Sequence, residues 1–239
     1  MNSKDKVKVA ILGGAFNPPT NGHIQLAEFV LENTNIQEVW LTPCYSHMHN
    51  KKMERPIHRL RMCAIAARRN EKIHVFDYEI RNKLNGSTYE LANKLYNDPK
   101  LDVEISFIIG LDNANNFNTW YKSDKLKEIA KFIVVPRKGV KTPDKKTWYS
   151  KEPHTFLNIE TDITECSSTK ARDFFSSNGR SKMIWFLDKE VQWYIQDQNL
   201  YEPSEDIRDI ETHNKKRGWI WSSAAKRLKD KDRPSWIQV

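Results

Sequence analysis

Six short apolar runs rich in β-branched residues recur along the chain at Val7–Leu12, Val39–Thr42, Ile73–Phe76, Val103–Ile109, Phe132–Val135 and Thr155–Ile159. Between them, apolar residues return at helical spacing. Ile24, Ala27 and Leu31 share one face, and Ile57, Leu60, Ala64 and Ala67 share another, with Pro56 at a first helical position. Strands alternating with helices predict an α/β protein, because each helix carries the chain back to the edge from which the next parallel strand starts. The expected architecture is an open parallel sheet with helices on both faces and a helical C-terminal part. That part comprises segments near Ser168–Ser176 and Lys189–Gln198, closed by Asn199, Leu200 and Tyr201. Lys138–Pro153 is polar and proline-containing, and reads as a loop or an elaborated connection.

Pro203, Ser204 and Glu205 mark a boundary, which divides the chain into a domain over 1–203 and an extension over 204–239. The charge supports this division. From His213 to Val239 there are eight Lys/Arg against two Asp, a net +6 out of the +8 of the whole chain. The body is therefore nearly balanced, and the basic character belongs to the extension. Trp219, Trp221 and Trp236 are too many large aromatics for a purely solvated arm. Two readings stay open: the tryptophans dock on the parent domain or a neighbouring subunit, or the arm contacts nucleic acid or another acidic partner. Three scattered cysteines without a C-x-x-C pair argue for a reducing compartment and against a cysteine metal site. The N-terminus has too short an apolar run for a signal peptide, and no run approaches a membrane span, so the expectation is a cytoplasmic protein.

In open α/β sheets, ligands bind beyond the carboxyl ends of the strands, where strand order reverses. The first run ends in Gly13-Gly14-Ala15-Phe16-Asn17-Pro18-Pro19-Thr20-Asn21-Gly22-His23, and a helix follows at once. This is neither G-x-G-x-x-G nor a P-loop. It still has the physical marks of a phosphate site. Gly13 and Gly14 let the backbone approach a ligand, Pro18 and Pro19 stiffen the turn, and the new helix offers free N–H groups. Thr20 supplies a hydroxyl, and the imidazole of His23 can donate to phosphate oxygens whose charge grows during reaction. For a lone histidine, a simple helix cap is the commoner explanation.

Two later segments fit the same chemistry. Ser167-Ser168-Thr169-Lys170-Ala171-Arg172 places hydroxyls, Lys and Arg at a helix start, where Arg172 could clamp the far side of a triphosphate. The alternative is an ordinary Ser/Thr cap with a solvated Arg. Phe107-Ile108-Ile109-Gly110-Leu111-Asp112, followed by Phe117 and Trp120, sets a carboxylate at a strand's carboxyl end to accept bonds from ribose hydroxyls or a base amide. The Trp120 indole offers a face for an electron-poor ring, although a tryptophan so placed is more often core.

Taken whole, the first string resembles the T/H-x-G-H motif of the nucleotidyltransferase superfamily. In its G-x-F-x-P-x-T/H-x-x-H form it resembles nicotinate or nicotinamide mononucleotide adenylyltransferases, with Thr20 at the first motif position. The Ile163–Arg172 string is similar to that family's I-S-S-T-x-I-R motif, with Cys166 and Ala171 at packing positions. The Phe107–Trp120 stretch is similar to F-I-I-G-x-D-x-x-x-x-F-x-x-W, whose aromatic stacks on the pyridine ring. Ile133–Arg137, the lysines Lys51 and Lys52 before His58-Arg59-Leu60-Arg61-Met62, and more loosely Ser87-Thr88-Tyr89, also resemble family segments. The resemblance spans about residues 7 to 202 and leaves the extension uncovered.

The resemblance implies a Rossmann-like fold and transfer of the ATP adenylyl group to nicotinamide or nicotinate mononucleotide, giving NAD or deamido-NAD and pyrophosphate. It assigns catalysis to His23, Thr20 and Arg172. ATP falls to Gly14, Ala15, Phe16, His23, Gly110, Asp112, Ser168, Thr169 and Arg172, and the mononucleotide to Phe16, Asn17, Lys51, Arg59, Ser87, Thr88, Trp120 and Arg137. Mg²⁺ is expected on the ATP phosphates rather than in a protein cage. A homo-oligomer is compatible with this reading, and a membrane partner is not expected. The rivals are another superfamily member, such as pantetheine-phosphate adenylyltransferase, and a non-enzymatic nucleotide sensor whose tail recruits a partner.

Overall fold

The computed structural model describes residues 6–48, 52–136, 140, 147–157, 167–178 and 183–202. Its first strand, β1 (Val7–Gly14), is followed by α1 (Asn21–Asn33), β2 (Glu38–Pro43), α2 (Pro56–Ala67) and β3 (Ile73–Val75). Then come the short α3 (Tyr78–Arg81), α4 (Thr88–Tyr96), β4 (Val103–Gly110), α5 (Leu111–Asn115), α6 (Ser123–Ile129) and β5 (Lys131–Val135). Last come β6 (Thr155–Phe156), α7 (Ser168–Asn178) and α8 (Lys189–Asp197). All six strands are parallel, in the order β3-β2-β1-β4-β5-β6. The chain winds outward from β1 in one direction, then crosses back and winds outward in the other. The reversal falls between β1 and β4, where Val7–Ile11 register with Val103–Phe107.

The strand positions follow from burial on both faces. Val9, Ala10, Ile11 and Leu12 of β1 are all buried, which explains an apolar run without polar alternation. Their side chains still alternate. Ala10 and Leu12 pack with Ile24, Ala27, Met62, Ala171 and Val191, under α1, α2, α7 and α8. Val9 and Ile11 pack with Leu91, Leu95, Phe107, Phe117 and Phe132, under α4, α5 and α6. Two cores thus sandwich one sheet. Among the described residues no helix is long and apolar enough to cross a membrane.

The buried face of α2 differs from the expected one. Ile57 is exposed, whereas Arg59, Leu60, Met62, Cys63, Ala66 and Ala67 are buried. Apolar spacing misses this because a charged residue occupies the core-facing stripe. The last strand is described only over Thr155–Phe156, and residues 158–159 of the expected run lie outside the described residues. So do most of 138–146 and the tail from 203 onward, with its tryptophans and basic charge.

Candidate active site

Beyond the carboxyl ends of β1, β4 and β5 lies a cavity of about 790 Å³, at the point where strand order reverses. Gly13, Gly14, Ala15, Thr20, Gly22 and His23 form one wall, and Gly110, Asp112 and Trp120 another. A third comes from the loop after β2 and the turn before α4, with Cys44, Ser46, His47, Gly86, Ser87 and Thr88. A Cβ built on Gly13 would meet no atom within 4 Å, so that backbone borders open space. One built on Gly110 would sit 2.6 Å from Asp112 Oδ1, and any side chain there would have to displace the carboxylate.

His23 both caps the helix and faces the cavity. Its Nδ1 accepts the Thr20 backbone N–H at 2.9 Å, and the Thr20 hydroxyl lies 2.8 Å from the same nitrogen. A backbone N–H can only donate, so Nδ1 must be the acceptor and the ring proton resides on Nε2. Burial lowers the His23 pKa to about 4, against the smaller opposing effect of the Thr20 hydrogen bond, and the ring is neutral at pH 7. Phe16, itself 1% exposed, supports the imidazole with ring centroids 5.0 Å apart. The result is a neutral imidazole whose tautomer is chosen by the backbone, with an N–H left to donate. The helix cap thus leaves the second ring nitrogen as a donor, and one geometry is compatible with both readings.

Several expected ligands instead brace the first loop from outside the cavity. Asn17 is 2% exposed and does not line it. Asn17 Oδ1 accepts from Glu54 N at 3.1 Å and from the Tyr201 hydroxyl at 3.0 Å. Arg172 Nη1 donates to the Asn17 carbonyl at 2.8 Å, and Nη2 to Thr169 Oγ1 at 3.0 Å. The Ser168 hydroxyl donates to the Pro18 carbonyl at 2.8 Å. Ser168 and Arg172 therefore meet the first loop through its backbone, Thr169 supports Arg172, and none of the three borders the cavity.

Arg59 departs furthest from the expectation of a mononucleotide ligand. It is 0% exposed. Its Nε donates to Glu54 O at 3.0 Å, Nη1 to Ala15 O at 2.8 Å and Nη2 to Cys44 O at 2.7 Å. The guanidinium clamps the loops after β1 and β2 together and has no route to a substrate. Phe16, expected to approach the nucleotides through its backbone, has its ring buried beside His23. Lys51 and Arg137 lie outside the described residues.

At the far end, Trp120 stacks on the buried Phe117 at 5.0 Å and 29°, with its indole bordering the cavity. It is thus core on one side and cavity wall on the other. Tyr89 and Tyr121 extend this aromatic wall, edge to face at 6.0 Å, and Lys122 Nζ lies 4.7 and 4.9 Å from their ring centroids. Ser87 precedes α4 as its N-cap residue and is 4% exposed, and Thr88 opens the helix.

Three features of this end escape sequence reading. Gly86 has φ +83°, and a Cβ there would collide with the Ser46 carbonyl, so the turn rests on the neighbouring loop. Only its position after Asn85 hints at such a turn. Glu79, 4% exposed, borders the cavity and accepts a hydrogen bond from the Tyr45 backbone, while its Oε2 has no hydrogen-bond partner. Burial raises its pKa to about 7, an effect the Tyr45 hydrogen bond and Arg59 only partly oppose. Cys44 lines the cavity too, and burial together with Glu79 pushes its thiol up to about 11, far from a reactive thiolate. Among the described residues no group of three or more His, Cys, Asp or Glu is arranged to hold a metal ion.

Residues 11–174 match the model of the cytidylyltransferase-like family. A nicotinate-nucleotide adenylyltransferase of Bacillus subtilis is 28% identical over 197 residues, covering 82% of this chain and 98% of the relative. A relative from Fusobacterium nucleatum is 31% identical over 192 residues, covering 80% of this chain and 97% of its own length. Among solved structures, the nicotinic acid mononucleotide adenylyltransferase of Plasmodium falciparum complexed with NaAD superimposes with a TM-score of 0.67. It is 24% identical and covers 81% of this chain and 97% of its own, a likeness of fold.

Proposed function

Because this chain belongs to the cytidylyltransferase-like family, we propose that it is an adenylyltransferase that joins ATP to a pyridine mononucleotide, nicotinate mononucleotide foremost. An oxygen of the mononucleotide 5′-phosphate attacks the α-phosphorus of ATP. That P–O bond forms as the bond from the α-phosphorus to the bridging oxygen breaks, and pyrophosphate leaves with the electron pair. No protein base is needed, since the attacking phosphate is already anionic. Catalysis is then alignment plus stabilisation of charge on the phosphate oxygens.

The observation that carries this reading is the His23 tautomer. With Nδ1 held by Thr20, Nε2–H is a fixed neutral donor at the start of α1, beside the helix's free N–H groups. Gly13 leaves the loop backbone open to phosphate. The brace from Ser168 and Arg172 keeps that loop in place from outside the cavity. Asp112 stands at the carboxyl end of β4, suited to ribose hydroxyls, and Trp120 with Ser87 and Thr88 frames the pyridine end. Mg²⁺ would come with ATP as the MgATP substrate, held mainly by phosphate and water.

The test is direct. The full chain is incubated with ATP, Mg²⁺ and either nicotinate or nicotinamide mononucleotide, and pyrophosphate release is followed. Release dependent on the mononucleotide, with a dinucleotide product, is expected. Release with phosphopantetheine alone would move the chain to another branch of the superfamily.

A further inference from the structure

The cavity wall contains two buried polar atoms to which the reaction above gives no chemical role. Glu79 Oε2 and Ser87 Oγ both lack a hydrogen-bond partner, and both residues border the cavity while being 4% exposed. A buried carboxyl oxygen without a partner is costly to keep, and one charged in a low-dielectric wall is weakly screened. The other oxygen of Glu79 is occupied by the Tyr45 backbone, so the orphaned atom is the one without another role. On the reading that the site takes a pyridine mononucleotide, we propose that Glu79 sets its preference between acid and amide, by the field of its carboxyl group on the substituent of the pyridine ring.

The two mononucleotides differ only in that substituent. The acid brings a second negative charge to the wall that contains Glu79, and the amide brings none. When Glu79 is ionised, the acid meets a like charge that Arg59 only partly offsets, and the amide does not. When Glu79 carries a proton, the penalty disappears. The pKa of about 7 puts this exchange inside the working range. The groups facing Glu79 do not cancel the effect. The Arg59 guanidinium opposes only part of the effect of burial on Glu79, and burial pushes the Cys44 thiol up to about 11. Tyr45 acts through its backbone. His23 is neutral at pH 7, and His47, which borders the same cavity, is the residue substituted as a control.

The experiment measures Kd of the full chain for nicotinate and for nicotinamide mononucleotide by calorimetry from pH 6 to 8.5, and takes their ratio. Titration of the shared 5′-phosphate cancels in that ratio. Acid binding should weaken relative to amide binding as pH rises through about 7, by up to about tenfold per pH unit. Glu79→Gln should flatten the ratio and preserve acid binding at high pH, and His47→Gln should leave the slope in place. A flat ratio in the unaltered protein overturns the proposal, whether or not the variant folds. A slope that persists in folded Glu79→Gln, or vanishes in His47→Gln, also overturns it. Failure to bind either mononucleotide overturns the functional reading itself, and this inference falls with it; binding of both with a flat ratio overturns the inference alone.

Discussion

Replacing Arg59 by Met separates a brace from a ligand. Methionine is close in length and apolar, so the variant removes charge and donors without opening a large void. Three buried hydrogen bonds are lost, to Ala15, Cys44 and Glu54. Each bond from a charged donor contributes about 1.5–3 kcal/mol, and three in one fork are not additive, so the low end applies. The expected loss is about 4–5 kcal/mol, a large share of the roughly 5–15 kcal/mol by which a domain is stable. At a urea slope of about 2 kcal/mol/M, the unfolding midpoint should fall by about 2 M. The variant should also be more sensitive to alkali. Glu79 already has a raised pKa, and Arg59 is the cation that restrains the rise. A carboxyl with a raised folded pKa costs stability as pH climbs from its unfolded value through its folded one. Removing Arg59 extends that window upward, so the deficit should be larger at pH 8 than at pH 6. Arg59→Lys should recover less than half of the loss, because an ammonium cannot span three carbonyls. A variant with an unaltered midpoint and only a raised KM for the mononucleotide would refute this account and return Arg59 to the substrate.

His23→Ala should lower turnover by about a hundredfold or more with little change in mononucleotide binding; pyrophosphate assays at saturating substrate check this, and near-native turnover would remove His23 from the chemistry. Trp120→Ala should raise KM for the mononucleotide more than for MgATP, and equal losses with a lowered Tm would make the indole purely core. Glu79→Gln should gain stability relative to the unaltered protein by about 3 kcal/mol as pH rises from 4.5 to above 7, since the unfolded carboxyl ionises first. Urea midpoints for both proteins across that range test it, and a constant difference would mean that Glu79 is not buried as described.

Legibility in the sequence follows the physics of each element. Central strands buried on both faces advertise themselves as unbroken β-branched runs, which is why β1, β2, β4 and β5 are readable within a residue or two. The position of the cavity is equally readable, because reversal of strand order is a property of topology. What resists reading is the direction in which a polar side chain points. Arg59 and Arg172 turn donors onto the backbone of the first loop, and Asn17, within that loop, turns its amide oxygen to Glu54 N and the Tyr201 hydroxyl. Glu79 sits in an unremarked Asp77-Tyr78-Glu79-Ile80-Arg81 stretch that reads as a polar helical turn. Only packing of the β2 loop over it strips its water. Helix α2 was misread for a related reason, since periodicity assumes that a buried face is apolar.

The brace on the phosphate loop has a consequence for how the protein comes into being. Loop residues Asn17 and Pro18 are secured by Ser168, Arg172 and Tyr201, which follow them by 150 to 184 residues along the chain. During synthesis, the glycines, Thr20 and His23 emerge early, but the contacts that hold their loop do not exist until almost the whole domain has been made. A nascent or prematurely terminated chain would carry the complete donor sequence and yet lack the geometry that lets it act on ATP. Competence is thereby tied to completion, and a fragment lacking the residues around Tyr201 should be a poor consumer of nucleotide even where its sheet has formed.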